Sequence, residues 1–153
     1  MKKPVILIIG LIYIIAIVVV GFLGIPARVY NPKTFVTDIE LTFDDKLEPL
    51  SASEGVDYSF RISSNDTFTF DIVAKVKPDE ASEKRCVFEQ IDNYGKDVYT
   101  FTTTVNEKSG YTIASFTCAK LKKNKRKTIS VSVRPADGNK SLRKTIDILL
   151  KGI

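Results

Sequence analysis

The chain has 153 residues and a net charge of +5, and it contains neither histidine nor tryptophan. The missing histidine removes the most common general base and excludes catalytic triads that use an imidazole. Residues 1–35 contain four basic residues and no acid, so the other 118 residues hold 19 basic and 18 acidic side chains. Because this remainder is nearly neutral, it lacks the broad basic field of a nucleic-acid-binding domain, and we expect no nucleic-acid partner.

An uncharged stretch of 24 residues, from Pro4 to Ala27, lies near the start of the chain. A membrane-spanning helix needs about 20 apolar residues, whereas the apolar part of a secretion signal has about 7–15 and ends at a small-x-small site. None of the small residues near the end of this stretch has a second small residue two positions before it. We therefore predict a retained transmembrane helix within residues 1–27; the alternative is a secretion signal that is cleaved after Ala27.

The charges that flank this stretch predict its orientation. Lys2, Lys3 and the α-amino group precede it, and Arg28 and Lys33 follow it. Since the more positive flank of a membrane helix stays in the cytoplasm, we expect a cytoplasmic N-terminus in the cell membrane. A short linker at residues 28–35 then leads to one extracytoplasmic domain at residues 36–153.

Beyond the linker, apolar residues alternate with polar ones along eight segments. This period of two is typical of strands with one buried and one exposed face. The sixth segment, from Tyr111, reaches Phe116 and Cys118 only if a bulge reverses its phase. The residues expected to face the core are, in chain order, Phe35, Ile39, Leu41 and Phe43; Tyr58, Phe60 and Ile62; Phe68, Phe70, Ile72, Ala74 and Val76; Cys86 and Phe88; Tyr99, Phe101 and Val105; Tyr111 and Ile113; Ile129, Val131 and Val133; and Ile146, Ile148 and Leu150.

Clusters of polar residues, glycine and proline separate these segments and predict turns, as in "SASEG", "SSND" and "PADGNKS". No segment beyond the linker shows a helical period. Short strands at regular spacing predict an all-β fold, and we expect an antiparallel β-sandwich of about 7–9 strands.

The two cysteines, Cys86 and Cys118, both fall in predicted strands. An even number of cysteines outside the cytoplasm is compatible with one disulfide. The alternative is that both side chains are small buried hydrophobic groups. Their spacing does not decide between these two possibilities.

The acidic residues offer weak candidates for chemistry. Asp44-Asp45 and Asp92-Asn93 carry oxygens suited to calcium, but without a spaced ligand loop we expect them to form turns. An acid/base set of Asp71, Glu89 and Asp97 is conceivable, but carboxylates on the exposed faces of strands are the expected arrangement. We therefore predict no catalytic residue, no metal and no cofactor, and no enzymatic activity.

The segment "KLKKNKRK" holds the densest charge in the sequence. It suits contact with anionic headgroups, cell-wall polymers or an acidic protein, although a solvated loop between two strands is the simpler interpretation. The basic side chains of this candidate patch are Lys120, Lys122, Lys123, Lys125, Arg126 and Lys127.

One stretch, "KPDEASEKRCVFEQID", resembles the bacterial immunoglobulin-like domains of group 2, which occur in invasin- and intimin-type surface proteins. The family's proline, alanine, aliphatic, tryptophan and Asp/Asn places hold Pro78, Ala81, Cys86, Phe88 and Asp92 here, so phenylalanine replaces the tryptophan. The segments "SGYTIA" and "TISVSVRPADGNKSLRKTIDILL" resemble its later strands, and the resemblance covers most of residues 36–153. It implies an immunoglobulin-like sandwich and supports no particular activity.

These observations favour a binding or structural module that is anchored in the membrane and displayed outside the cytoplasm. We expect an accessory subunit of a membrane or envelope complex, with a protein partner and with a cell-wall polymer or glycan as other possible ligands. One alternative is an adhesin-like surface protein that binds a host protein or glycan. Another is a small hydrolase that uses carboxylates, which the missing histidine disfavours.

Overall fold

The computed structural model describes residues 3–23, 33–94, 97–106 and 109–153, and the chain divides into two compact units, Met1–Lys33 and Thr34–Ile153. The division falls within the predicted linker at residues 28–35. The elements in chain order are α1 (Lys3–Leu23), β1 (Asp38–Phe43), β2 (Glu48–Leu50), β3 (Tyr58–Ser63), β4 (Phe68–Lys77), β5 (Cys86–Gln90), β6 (Tyr99–Asn106), β7 (Tyr111–Cys118), β8 (Arg126–Pro135), a 3₁₀ turn (Lys140–Leu142) and β9 (Lys144–Lys151).

The first unit contains the helix α1, whose described side chains are exposed. Within the described residues, no helix combines the length and the hydropathy of a membrane span. The last part of the predicted anchor, residues 24–27, lies outside the described residues. The membrane anchor, its orientation and the alternative of a cleaved signal remain predictions.

The second unit is a sandwich of two sheets. One sheet has the order β1-β4-β7-β6, and the other has the order β2-β3-β9-β8-β5. The order β1-β4-β7-β6 is that of the A-B-E-D sheet of immunoglobulin domains, with β1 as strand A, β4 as B, β7 as E and β6 as D. In the second sheet, the neighbouring strands β5, β8 and β9 then correspond to C, F and G. The prediction of a mostly β sandwich of about 7–9 strands is therefore confirmed, and the order of its strands is compatible with an immunoglobulin-type fold.

The core lies between the two sheets, and the predicted alternation places most of it correctly. On β4 the five predicted residues point inward, and Phe70, Ile72, Ala74 and Val76 are buried. The predicted residues of β8 and β9 are all buried as well: Ile129, Val131, Val133, Ile146, Ile148 and Leu150. An aromatic stack fills the centre, where the rings of Phe70 and Phe116 lie 4.9 Å apart and almost parallel. The alternation predicts the core residues of these strands correctly because one face of each strand is buried against the other sheet.

Three predicted core assignments are wrong. Val105 is 38% exposed near the end of the edge strand β6. Phe35 is 68% exposed, and its neighbour Val36 is buried instead, because the chain reaches β1 only at Asp38 and the alternation does not extend back to residue 35. On β7 the buried residues are Thr112, Ala114, Phe116 and Cys118, whereas Tyr111 and Ile113 are half-buried. Its register with β4 and β6 is continuous, so the strand has no bulge, and its first half simply faces the other way.

The expectation of a purely antiparallel sandwich needs one correction. β3 pairs with β9 in parallel, from Tyr58 opposite Ile146 to Ser63 opposite Lys151. A parallel pair requires a long crossover, and here most of the domain separates the two strands in sequence. β2 was not predicted, since its three residues carry a proline and no alternation.

Candidate functional site

The strand register defines two ends of the sandwich. At one end, Phe68 pairs with Cys118 and Ser63 pairs with Lys151, which brings residues 64–67, 91–94, 97–98 and 119–125 together with the C-terminus. At the other end the chain enters the domain, where the Thr37 N–H donates to the carbonyl of Lys77 at 2.8 Å. The ten residues of β4 join the two ends, which are about 30 Å apart at 3.3 Å per residue.

The predicted basic patch occupies the end opposite the chain entry, and we call residues 120–127 the basic loop. It is not a free loop, because Arg126 and Lys127 already belong to β8. The Lys125 N–H donates to the Lys122 carbonyl at 3.0 Å, and Asn124 has the positive φ of 60° that such a turn needs. Asn124 and Lys125 also exchange two backbone hydrogen bonds with Gly152, at 3.0 and 2.9 Å. The last strand therefore holds the basic loop in one conformation.

Gly152 allows this close approach. A Cβ at position 152 would lie 2.9 Å from the carbonyl carbon of Lys122, which is inside contact distance. Leu121 is partly buried and packs against the core. Backbone contact with Gly152 and burial of Leu121 together fix where the lysines project.

The charges of the basic loop are only partly compensated. Lys120 Nζ lies 3.5 Å from the Asp66 carboxylate, and Lys127 Nζ lies 5.1 Å from the centre of the Tyr94 ring. The other four basic side chains are exposed and have no ion pair with any residue that the structure describes: Lys122, Lys123, Lys125 and Arg126. The sandwich thus presents a rigid, net positive surface at this end, which attracts anionic groups.

Asp92 holds the neighbouring β5–β6 loop in place. Its Oδ2 accepts hydrogen bonds from the Tyr99 hydroxyl at 2.9 Å and from the Ser130 N–H at 2.8 Å. Its Oδ1 accepts from the Tyr94 N–H at 2.9 Å and from Gln90 Nε2 at 2.7 Å. Burial alone would raise the pKa of the Asp92 carboxyl, but these hydrogen bonds outweigh it and lower that pKa. Asp92 therefore ties strands of both sheets together as an anion.

The other residues of the resemblance to group 2 domains also have structural roles. Pro78 follows β4 directly, and Ala81 is buried at the turn that leads to β5. Phe88 is buried where the family has tryptophan, and Cys86 is buried two positions before it. These residues shape the core and the corner of the sandwich, and no ligand site follows from them.

The two cysteines are free thiols and lie far apart. The Cys86 N–H donates to Thr112 Oγ1 at 2.9 Å, and Thr112 lies six positions from Cys118 on β7. Six positions of strand correspond to about 20 Å, whereas a disulfide needs Cα atoms within about 7 Å. The disulfide alternative is therefore wrong for this fold. Burial raises the pKa of each thiol to about 12, so both side chains act as small hydrophobic groups.

The structure separates the candidate acid/base set. Asp71 lies on the outer face of β4, and Glu89 lies on the outer face of β5 in the other sheet, with the core between them. Glu89 forms an ion pair with Arg134, with 2.6 Å between Oε1 and Nη2. The structure therefore does not bring Asp71 and Glu89 together as an acid and a base.

The candidate calcium residues form turns. The Asp44 carboxylate accepts the Lys46 N–H at 3.1 Å and pairs with the Lys46 ammonium at 3.4 Å, as expected of a turn-forming aspartate. Among the described residues, no group of three or more potential metal ligands comes together. Two open hollows of about 180 and 210 Å³ lie on the surface of the sandwich, beside Lys75 and beside Asp147.

Comparison with known proteins adds little to the geometry. No protein-family model matches the chain, and no curated protein matches it. A solved structure described as "GspB Siglec domain" matches with a TM-score of 0.43 and 11% sequence identity. The match covers 76% of this chain and 59% of that one, so this chain spans less than two thirds of its length. So low a likeness assigns neither a family nor a ligand, and the immunoglobulin-type assignment rests on the strand order.

Sequence reasoning missed one surface, the free edge of β6. The segment "YTFTTTVN", Tyr99–Asn106, was predicted only as an ordinary strand. The eight residues contain no charge, and seven of them are exposed or half-buried. The absence of charge over a whole strand was the signal that could have marked this edge.

Proposed function

We propose that the chain is a single-pass membrane protein that binds an anionic partner through the basic loop of an immunoglobulin-type sandwich outside the cytoplasm. It would serve as an accessory subunit of a membrane or envelope complex. One observation supports the proposal above all others. The basic loop is held rigidly at the end of the sandwich that lies opposite the entry of the chain.

The location and rigidity of the basic loop both favour binding. Within one copy, the chain enters the sandwich at the end opposite the basic loop, about 30 Å away, so the copy's own entry does not cover the loop. Hydrogen bonds to Gly152 already order the turn. The loss of conformational entropy when a partner binds is therefore smaller than it would be for a flexible loop. Four exposed cations close together attract acidic protein surfaces and polyanions from a distance that depends on ionic strength.

The membrane part of the proposal rests on the sequence alone. The uncharged residues 4–27 and the charges on their two flanks support a cytoplasmic N-terminus and an extracytoplasmic sandwich. Protease added to sealed cells should then remove the sandwich. A sandwich that is digested only after the cells are opened would show that the proposed topology is wrong.

We also propose that the domain binds rather than catalyses, and that it is a divergent relative of the bacterial group 2 domains. Support for the first point comes from the separation of Asp71 and Glu89 by the core. Support for the second comes from the buried Phe88 and from the hydrogen bonds that Asp92 accepts at the corner.

Co-purification of the full chain from membranes tests the binding role. The matched variants are Lys122→Glu/Lys123→Glu in the basic loop and Lys84→Glu/Lys140→Glu at the opposite end, all four positions being exposed. Both pairs change the net charge equally. We expect the first pair to lose the partner in mass spectrometry and the second to keep it. Equal recovery with both variants would refute the role of the basic loop, and recovery of a glycan polymer in place of a protein would favour the adhesin-like alternative.

A further inference from the structure

We propose that two copies of this chain pair antiparallel along the free edge of β6, so that the four-stranded sheet continues from one copy into the other. The inference concerns a different surface from the basic loop and does not depend on the proposed function. It begins from a comparison of the four strands that form the edges of the two sheets, β1, β6, β2 and β5.

Three of these edges are protected against strand addition. β1 carries Asp38 and Glu40, which pair with lysines at 3.6 and 3.0 Å. β2 has three residues, one of them Pro49, and β5 has five residues and carries Glu89. Short length, proline and charge are the usual means of blocking an exposed edge. β6 has none of them, because its eight residues include no charge and no proline, and its register with β7 contains no bulge.

The hydrogen bonds that flank β6 show which of its backbone groups face outward. The Val98 carbonyl accepts from Ala119, and the Asn106 carbonyl accepts from Gly110, so even-numbered residues face β7. Successive residues of a strand point their backbone groups to opposite sides. The N–H and C=O groups on the free edge therefore belong to the odd-numbered residues: Tyr99, Phe101, Thr103 and Val105.

One antiparallel register satisfies all of these groups. An isologous contact requires two-fold symmetry, which an antiparallel ladder can satisfy because its two strands are equivalent. If Thr102 lies opposite Thr102 of the second copy, Tyr99 pairs with Val105 and Phe101 pairs with Thr103. Every outward N–H and C=O of the four odd-numbered residues then has a partner.

The side chains in this register also match. On the inner face, each aromatic ring meets a β-branched side chain, as Tyr99 meets Val105 and Phe101 meets Thr103. On the outer face threonine meets threonine, at Thr100 opposite Thr104 and at Thr102. Both kinds of cross-strand pair are favourable. The pairing also covers Val105, which is 38% exposed, and the half-buried Phe101.

The same features identify a second copy as the occupant. A charged peptide would find no complementary charge anywhere on β6. Along the eight residues of β6, a second copy brings no like charges together, supplies a strand of equal length and matches every side-chain pair. The edge strand is therefore complementary to itself.

Cysteine cross-linking of the full chain in detergent tests the register. Thr102 is a non-hydrogen-bonded position, at which facing Cα atoms lie about 4.5 Å apart, a distance that suits a disulfide. We expect Thr102→Cys to form a covalent dimer under mild oxidation. Thr104→Cys, equally exposed on the same face, should not do so, because it faces Thr100 of the second copy. The native thiols are buried and do not interfere. Equal cross-linking of both variants, or of neither, would overturn the proposed pairing.

Opposite charges at the same position give a second test by sedimentation of the full chain. Thr102→Lys and Thr102→Glu each place like charges face to face and should weaken dimerisation by about tenfold or more, whereas their mixture should restore it. Thr117→Lys is the control, since Thr117 is an exposed threonine on the outer face of the adjacent central strand β7. We expect it to leave the dimer unchanged. A wild-type chain that sediments as a monomer, or a mixture that fails to restore dimers while each variant keeps wild-type circular dichroism, would refute the inference.

Discussion

Replacing Asp92 by alanine should destabilise the sandwich more than any other change to a single carboxylate at its surface. Its Oδ1 contacts are exposed, and water can replace them at little cost. Its Oδ2 contacts with Tyr99 and Ser130 are partly buried and charge-assisted, so each contributes about 1.5–2.5 kcal/mol. The expected loss is therefore about 3–5 kcal/mol, a large part of the 5–15 kcal/mol that stabilises a typical domain.

Urea unfolding of residues 34–153, followed by circular dichroism, measures this loss, and its pH dependence tests the cause. Because folding lowers the pKa of the Asp92 carboxyl, the contribution of Asp92 is fully present above its unfolded pKa of about 3.9. It is lost as the pH falls through the lower folded value. Asp92→Asn should therefore be less stable than wild type at pH 7, and the difference should shrink as the pH falls below about 4.

Asp45→Asn is the matched control, because Asp45 is an exposed aspartate in a turn. It should change the free energy of unfolding by no more than about 0.5 kcal/mol. If Asp92→Ala and Asp45→Asn unfold at the same urea concentration, the hydrogen bonds that Asp92 accepts do not stabilise the sandwich. If the gap between wild type and Asp92→Asn is the same at pH 7 and pH 3, the ionised carboxylate is not what stabilises it.

Three further predictions concern packing. Gly152→Ala should cost about 1–3 kcal/mol in urea unfolding, because its Cβ would press against the Lys122 carbonyl, and the loss should be smaller if the basic loop is deleted as well. Cys86 and Cys118 should resist alkylation at pH 8 until urea unfolds the domain, since burial raises both pKa values to about 12; rapid labelling of the folded domain in mass spectrometry would contradict this. Phe116→Ala should cost about 3–5 kcal/mol in the same unfolding assay, and a loss below about 1 kcal/mol would show that its ring is not in the central stack.

The sequence predicts the long central strands of the sandwich well, because their alternation results from burial on one face. On β8, Ile129, Val131 and Val133 alternate with polar residues and are fully buried. The prediction fails where apolar side chains stand at strand ends or on the outer face. Phe35 precedes β1 and is exposed, and Ile113 lies on the outer face of β7. A hydrophobic residue in such a place satisfies the pattern without being in the core.

Contacts between distant segments could not be predicted from the alternation. The parallel pairing of β3 with β9 depends on how the chain crosses between sheets, which a local pattern does not contain. The separation of Cys86 from Cys118 likewise depends on which end of β7 faces β5. The basic loop was found from its charge alone, but its rigidity comes from Gly152, which lies near the C-terminus and carries no signal of its own.

The basic loop and the β6 edge make separate contributions that can be measured together. β6 begins at the basic end, so antiparallel pairing places the basic loops of two copies at opposite sides of the dimer. The two loops would then engage two separate anionic groups and would not double the charge presented to one. A dimer should consequently bind a multivalent polyanion more tightly than a monomer does, by avidity, but a single acidic peptide equally well. Thr102→Lys should weaken only the first kind of binding, whereas Lys122→Glu/Lys123→Glu should weaken both. If Thr102→Lys also weakens binding of the single peptide, the two surfaces do not act independently.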